Sequence, residues 1–304
     1  MGDCWRELAR RDGVDVKVVV DVANKTFGGQ FNSDDILRGL DWSDHLPDGY
    51  CPDVAFIVGW HNKLCRQAAL KYAKLRATNA KLKLVCCFDM PWEWRVRKIA
   101  ARFVLWHYLR RFDAALIPGM ASYRYARWLG FDAKRIFMGM YGTNVNRFGQ
   151  HVGGGGFLYV GREALEKGLD VLRKAHDMYK AAGGKWPLNI ANGVSPDKLG
   201  DIYAKADCFV LASRFEPWGV VLAEAAAAGL PIICTDKCGA RHEVVKGNGI
   251  VVRSGDAQAL ADALSVIENG RKGVDGELGR TLAQSYSCAA WADRVLGIAG
   301  MLTK

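Results

Sequence analysis

Nowhere in this chain of 304 residues is there an apolar run of the ~18 residues needed to cross a bilayer. The most apolar segment, 220–234, is broken by Glu224, Gly229 and Pro231, so no spanning helix is expected. The first residues, MGDCWRELARRDG, carry charges where a secretory leader needs an apolar stretch, which sets a soluble, cytoplasmic protein as the expectation. The nine cysteines form no Cys-x-x-Cys pair, and the six histidines supply no paired ligand spacing, so a zinc site is not indicated. Cys86, Cys87, Cys208 and Cys234 fall inside apolar runs, where thiols act as small buried hydrophobes and a reduced state is expected. Short repeats and low-complexity tracts are missing too, and the composition excludes disordered, collagen-like and disulfide-scaffold classes. What remains is globular material: 50% hydrophobic and 24% charged, enough for two cores and, at this length, two domains.

Acidic residues are scarce in one place. Residues 61–111 hold 13 Lys and Arg against only Asp89 and Glu93, whereas residues 1–60 hold 6 basic and 11 acidic residues. From Phe148 onward the charges nearly balance, at 18 basic and 17 acidic. The overall net charge of +10 is therefore a property of one segment, which reads either as a patch for a polyanion or as a solvated face.

Short apolar, β-rich runs alternate with helical stretches. Strands are expected at Val16–Val22, Val54–Val58, Leu84–Phe88 and Ala114–Ile117, with helices at Cys4–Arg11, Leu64–Leu75 and Trp92–Arg111. The run His151-Val-Gly-Gly-Gly-Gly reads as a flexible boundary. Beyond it the alternation restarts. Strands are expected at Phe157–Val160, Leu188–Ala191, Cys208–Ala212, Pro231–Thr235 and Ile250–Val252. Helices are expected at Leu169–Ala181, Ser195–Ala206, Gly219–Ala228 and Ala257–Glu268. Such alternation implies two α/β units with parallel, doubly wound sheets and a cleft between them.

Doubly wound sheets bind ligands outside the carboxyl ends of their strands. The loop opening the second unit, Tyr159-Val-Gly-Arg-Glu-Ala-Leu-Glu-Lys-Gly168, places Arg162 and Lys167 before a helix, either as a clamp for a diphosphate or as solvated surface cations. Further on, Glu216 lies in a loop and Glu224 about two turns into an otherwise apolar helix. A carboxylate among Val221, Leu222 and Ala225–Ala228 needs a hydrogen-bonding partner: a vicinal diol such as a ribose, or an internal ion pair. Pro217 suits the helix start, and Gly219 clears space for close backbone approach.

The stretch Ser213-Arg-Phe-Glu-Pro-Trp-Gly-Val-Val-Leu-Ala-Glu-Ala-Ala-Ala-Ala-Gly-Leu-Pro-Ile-Ile233 resembles the E-x7-E segment of retaining, family 4 (group 1) glycosyltransferases of the GT-B fold. Tyr159–Gly168 is similar to that family's diphosphate loop, and Gly239-Ala-Arg-His-Glu243 and Gly247-Asn-Gly249 to the segments that follow it. The resemblance covers about 157–270. It implies two Rossmann-like domains facing a cleft: 1–150 on the acceptor side, 151–286 binding the nucleotide sugar, and a helix in 287–304 crossing back to the first domain. It also implies that Arg162 and Lys167 bind the donor diphosphate, Glu224 the ribose and Glu216 the sugar hydroxyls. Trp218, Gly219 and Val220 would give backbone contacts, and Asn192 and Gly193 would lie near the base. The implied donor is a UDP- or GDP-linked sugar, transferred with retention and without a further cofactor. No Asp-x-Asp occurs, so a metal-bridged diphosphate is not indicated and a metal-independent site is expected.

The first half matches the family only loosely, because it opens in a helix rather than in a strand and glycine-rich loop, and Gly28-Gly29 comes after the first expected strand. His61 and Asp89 each follow a strand and are candidates for catalytic or acceptor roles, or simply turn residues. In 92–112, Val96, Ile99, Phe103 and Trp106 share one helical face and Arg95, Lys98 and Arg102 another. This suits peripheral contact with the inner face of a membrane, a helix packed on its own core, or polyanion binding. The expected acceptor is a lipid-linked or surface glycan. The alternatives are a DNA-modifying glycosyltransferase, a sugar-nucleotide epimerase, and a non-catalytic sugar-nucleotide or polyanion-binding protein.

Overall fold

The structure is a computed structural model and describes residues 1–20, 37–149, 151–270 and 274–304. The chain forms two compact units, one made of Met1–Gly142 with Cys288–Lys304 and the other of Thr143–Ser287. In the first, α1 (Gly2–Ala9) precedes β1 (Lys17–Val19) and β2 (Asp41–Ser43), which pair in parallel. Then follow β3 (Val54–Val58), α2 (Lys63–Leu75), β4 (Lys83–Cys87), α3 (Val96–Val104), α4 (Trp106–Leu109), β5 (Ala114–Ile117), α5 (Met120–Leu129) and β6 (Ile136–Met138). The second unit runs β7 (Phe157–Val160), α6 (Leu169–Ala181), β8 (Leu188–Ala191), α7 (Leu199–Lys205), β9 (Cys208–Leu211), α8 (Val220–Ala227), β10 (Ile232–Thr235), α9 (Arg241–Val244), β11 (Gly249–Val252), α10 (Ala257–Glu268) and α11 (Gly276–Gln284). The last helix, α12 (Cys288–Thr303), belongs to the first unit.

Both main sheets are wholly parallel. The first has the order β3-β4-β5-β6 and the second β11-β10-β9-β7-β8. Strands β5, β7, β9 and β10 are buried at every residue, as strands covered on both faces must be. Helices present apolar stripes to them, such as Leu172, Ala175 and Tyr179 of α6 and Leu260, Ala263, Leu264 and Ile267 of α10. α12 lays Ile298 and Leu302 on Val85, Cys87, Ala114 and Leu116, and Trp291 Nε1 donates to the Met140 carbonyl at 2.9 Å. α1 joins the same helix through Cys4 and Leu8 against Trp291, Ala292 and Val295.

Several expectations need correction. The glycine run at 153–156 is not a loose linker, because it lies inside the second unit and Asp207 anchors it, accepting from Gly154 N at 2.8 Å and Gly156 N at 2.6 Å. Trp92–Arg111 is not one helix. Residues 92–95 are non-helical and the backbone turns at Leu105 (φ −93°, ψ 1°), giving α3 and α4. The helix expected from Ser195 begins only at Leu199, past Pro196. Of the strand expected over 16–22, residues 17–19 form β1; residues 21 and 22, and the Gly28-Gly29 pair, lie outside the described residues. No helix among the described residues is long and apolar enough to cross a membrane.

Candidate functional site

The strand order of the second unit decides where a ligand crevice can open. Taken in chain order from β7, the strands stand 2-1-3-4-5, so the winding direction reverses between β7 and β9. Loops leaving the carboxyl ends of two strands on either side of such a reversal diverge and open a crevice. Here those loops are 161–168 and 212–219, the segments that hold Arg162, Lys167 and Glu216.

The two loops are fastened together. The Arg214 and Phe215 amides donate to the Glu166 carbonyl at 2.8 and 3.2 Å. Arg214 also forms a two-pronged pair with Asp170, at 2.7 and 2.6 Å, and these hydrogen bonds lower the Asp170 carboxyl to about 2. Gly168 takes a left-handed backbone (φ 67°), and a Cβ there would sit 2.2 Å from the Ala212 carbonyl oxygen, so only glycine permits this approach. The result brings Lys167 Nζ to 2.5 Å from Glu216 Oε2, with both side chains largely buried. Arg162 remains exposed, beside Glu166 at 3.5 Å, while Tyr159 donates its hydroxyl to the Arg162 carbonyl at 2.9 Å and so fixes the loop's turn.

A third loop closes over Glu216 from the other side. Gly239 N donates to the Glu216 carbonyl at 3.0 Å and Ala240 N to the Trp218 carbonyl at 2.8 Å. Trp218 is buried against Tyr286. Gly219 (φ 93°) then starts α8 with no side-chain cap; the Leu222 amide turns back to the Gly219 carbonyl at 2.9 Å, and the first turn carries the positive end of the helix dipole. Val220 is the first residue of that helix. Asn192 and Gly193 are exposed at the carboxyl end of β8, beside the same loop, where Gly161 N donates to the Ala191 carbonyl at 3.0 Å.

Glu224 has the partner that its apolar helix demanded, and it comes from the protein. Tyr203, fully buried on α7, donates its hydroxyl to Glu224 Oε2 at 3.0 Å. Burial pushes the Glu224 carboxyl up, partly opposed by this hydrogen bond and by Arg147. Burial and then the Glu224 charge push the Tyr203 phenol well up, so it remains a donor. Sequence reasoning missed Tyr203, which is separated from Glu224 by the last two residues of α7, strand β9, the 212–219 loop and the first turn of α8. A tyrosine alone on the buried side of a short helix was the signal available.

His61 and Asp89 lie together in the first unit, at the carboxyl ends of β3 and β4. They line a cleft of about 300 Å³ with Trp60, Asn62, Met90 and Tyr141 among others. Tyr141 donates to Asp89 Oδ2 at 2.9 Å, and Asn62 Oδ1 caps α2 by accepting from Leu64 N at 2.7 Å. Gly59 N donates to the Cys87 carbonyl at 2.7 Å, holding the two strand ends in register. Tyr141 is a second residue that local patterning did not single out. Among the described residues, no group of three or more His, Cys, Asp or Glu side chains is gathered as a metal site would require.

Residues 188–275 match the family model described as glycosyl transferases group 1. A putative teichuronic acid biosynthesis glycosyltransferase, TuaC, of Bacillus subtilis is 34% identical over 126 residues, covering 37% of this chain and 32% of that protein. A GDP-mannose-dependent α-(1-6)-phosphatidylinositol monomannoside mannosyltransferase of Mycobacterium tuberculosis is 35% identical over 124 residues, covering 37% and 31%. The matched segments thus span less than a third of these relatives' length. Anabaena HepE, solved with UDP and glucose, superposes with a TM-score of 0.67 over 97% of this chain and 95% of its own, at 16% identity. That likeness establishes the fold as GT-B. The chain therefore has a GT-B fold with parallel sheets, and its residues 188–275 are similar to the glycosyl transferases group 1 family.

Proposed function

We propose that the chain transfers a sugar from a nucleoside diphosphate sugar to an acceptor hydroxyl, with retention at the anomeric carbon. The observation that carries this reading is the Lys167–Glu216 pair held at the winding reversal, beside the uncapped start of α8. A diphosphate brought there meets Lys167, Arg162 and the α8 amides, which together stabilise the charge that develops as the nucleotide leaves. Once Lys167 turns to phosphate, Glu216 accepts hydrogen bonds from sugar hydroxyls. Glu224, oriented by Tyr203, accepts from the ribose diol with its second oxygen, and Asn192 and Gly193 border the base.

Retention is accounted for by attack on the face from which the leaving group departs. The acceptor oxygen bonds to the anomeric carbon as the bond to the diphosphate oxygen breaks, and the acceptor proton passes to a donor phosphate oxygen. No enzyme nucleophile is needed, and no metal is required to carry the diphosphate charge. His61 and Asp89, in the first-unit cleft, serve acceptor hydroxyls. The acceptor is a lipid-linked or surface glycan: the basic 61–111 segment favours anionic material, and two relatives are named for a teichuronic acid and a phosphatidylinositol mannoside.

Titration with UDP and GDP, followed by turnover assays on a panel of UDP- and GDP-sugars, tests the reading. Binding of one nucleotide with release of the nucleotide from its sugar form supports transfer. Binding with no turnover of any donor in the presence of glycan acceptors would leave a binding protein, and epimerised donor would leave an isomerase.

A further inference from the structure

The segment 94–106 packs Ala101 and Leu105 against the core but leaves five large apolar side chains in solvent. Trp94 and Val96 are each 81% exposed, Phe103 70%, Val104 77% and Trp106 52%. Two of the three cations expected to face water, Lys98 and Arg102, are instead drawn inward, while Arg95 stays exposed. Lys98 Nζ donates to the Pro91 carbonyl at 2.6 Å, pairs with Glu93 at 2.8 Å and lies over the Tyr125 ring. Arg102 donates to the Trp128 carbonyl at 2.8 Å and stacks over the Trp128 ring. The exposed charge along and just beyond this segment is positive: Arg95, Arg97 and Arg110 are exposed, and the neighbouring acid, Glu93, pairs with Lys98 at 2.8 Å and more loosely with Arg95 at 3.5 Å.

Large exposed apolar side chains are common singly but costly in a cluster, and a cluster of this kind marks a surface that is covered in use. Two tryptophans and a phenylalanine rimmed by arginines, with no free carboxylate among them, match the chemistry of an anionic lipid interface. There aromatic and aliphatic groups enter the acyl boundary while guanidinium groups stay with phosphates. A second copy of the chain fits poorly, since a two-fold contact sets these arginines against one another. A nucleic acid has use for the arginines but none for Val96, Phe103 and Val104.

We propose that the 94–106 face of the first unit docks on an anionic lipid surface, with Trp94, Val96, Phe103, Val104 and Trp106 inserted and Arg95, Arg97 and Arg110 on the headgroups. The inference rests on the first unit alone and does not depend on sugar transfer.

Sedimentation of the chain with vesicles of phosphatidylcholine, and with vesicles of equal parts phosphatidylcholine and phosphatidylglycerol, tests it at low and high salt. Duplex DNA is titrated in parallel. The chain should associate with the anionic vesicles and keep part of that association at high salt. Val96→Ser combined with Phe103→Ser should reduce partitioning about tenfold or more, since each removed side chain forfeits apolar burial. Both positions are exposed, so the unfolding midpoint of this variant should equal the parent's, and Leu70→Ser on α2 should partition as the parent does. Brominated acyl chains should quench the parent's tryptophan fluorescence. The proposal is overturned by an absence of vesicle association at low salt, by equal partitioning of parent and double variant, or by association that salt abolishes entirely while duplex DNA binds more tightly.

Discussion

Replacing Tyr203 by phenylalanine removes a single oxygen and leaves the ring in place, yet it takes from Glu224 the hydroxyl 3.0 Å away. The hydroxyl's other neighbour, the Val221 carbonyl at 3.5 Å, is too distant to matter much. A hydrogen bond to a charged group contributes about 1.5–3 kcal/mol, and one between neutral groups about 0.5–1.5 kcal/mol. The cost of Tyr203→Phe therefore depends on the protonation of Glu224, whose carboxyl is already pushed up by burial. A carboxyl raised on folding gives stability that is present below its unfolded value, ordinarily 4.5, and lost as pH rises through the folded value. The Tyr203 hydroxyl opposes that rise, so its removal raises Glu224 further and deepens the loss on the neutral side. Where pH is high enough to ionise Glu224, urea unfolding of parent and variant should differ by about 1.5–3 kcal/mol, a fall in Tm of roughly 3–12 °C for a unit of this size. In mildly acidic buffer, below the ordinary glutamate value, the difference should shrink to about 0.5–1.5 kcal/mol. In a Glu224→Gln background it should have the smaller size at every pH. A penalty independent of pH, or one unchanged by Glu224→Gln, would refute the pairing as the means by which α8 keeps its carboxylate.

The remaining expectations concern the loops and the ligand. Gly168→Ala forces a left-handed backbone on alanine and sets its Cβ against the Ala212 carbonyl, so the unfolding midpoint should fall and nucleotide affinity with it; a variant with parental Tm would contradict the close approach. Asp170→Asn should cost about 0.2–1 kcal/mol, because the pair with Arg214 is largely solvated. Since pairing lowers Asp170 to about 2, that difference should be full above the ordinary carboxylate range and fade as pH falls toward 2, which an acid unfolding series reads directly. Lys167→Met should weaken binding of the accepted nucleoside diphosphate by about 1.5–3 kcal/mol in calorimetry, whereas Glu216→Ala should mainly lower turnover. Activity should persist in EDTA; loss restored by magnesium or manganese would count against a diphosphate held by Lys167 and Arg162 alone.

Local pattern was enough for most of the elements. The runs at 54–58, 114–117, 157–160 and 188–191 emerge as strands with the expected bounds, and 169–181 and 257–268 as helices. Each is a contiguous apolar or 3.6-periodic stretch ended by polar or glycine residues, so its structure follows from its own residues. Short elements escaped notice: Asp41–Ser43 and Ile136–Met138 carry too few residues to show a period. The spacing of Glu216 and Glu224 likewise belongs to one continuous segment, and its resemblance to group 1 glycosyltransferases could be read before any coordinates.

Tertiary structure decided the rest. Strand order is a property of pairing, and nothing inside β7 or β9 says that they are neighbours with the winding reversed between them. The Lys167–Glu216 pair and the Tyr203–Glu224 bond join residues that only this pairing brings within reach. The glycines at 153–156 read alone as slack chain, and become a fastened turn because Asp207 reaches them. The clearest case is 94–106. A helical period identifies two faces without saying which is inward, and a lysine or arginine can satisfy its donors on water or on carbonyl oxygens and aromatic rings. Pro91, Tyr125 and Trp128 supply those partners for Lys98 and Arg102, so these two cations turn in beside Ala101 and Leu105 while Val96, Phe103 and Val104 are left outside.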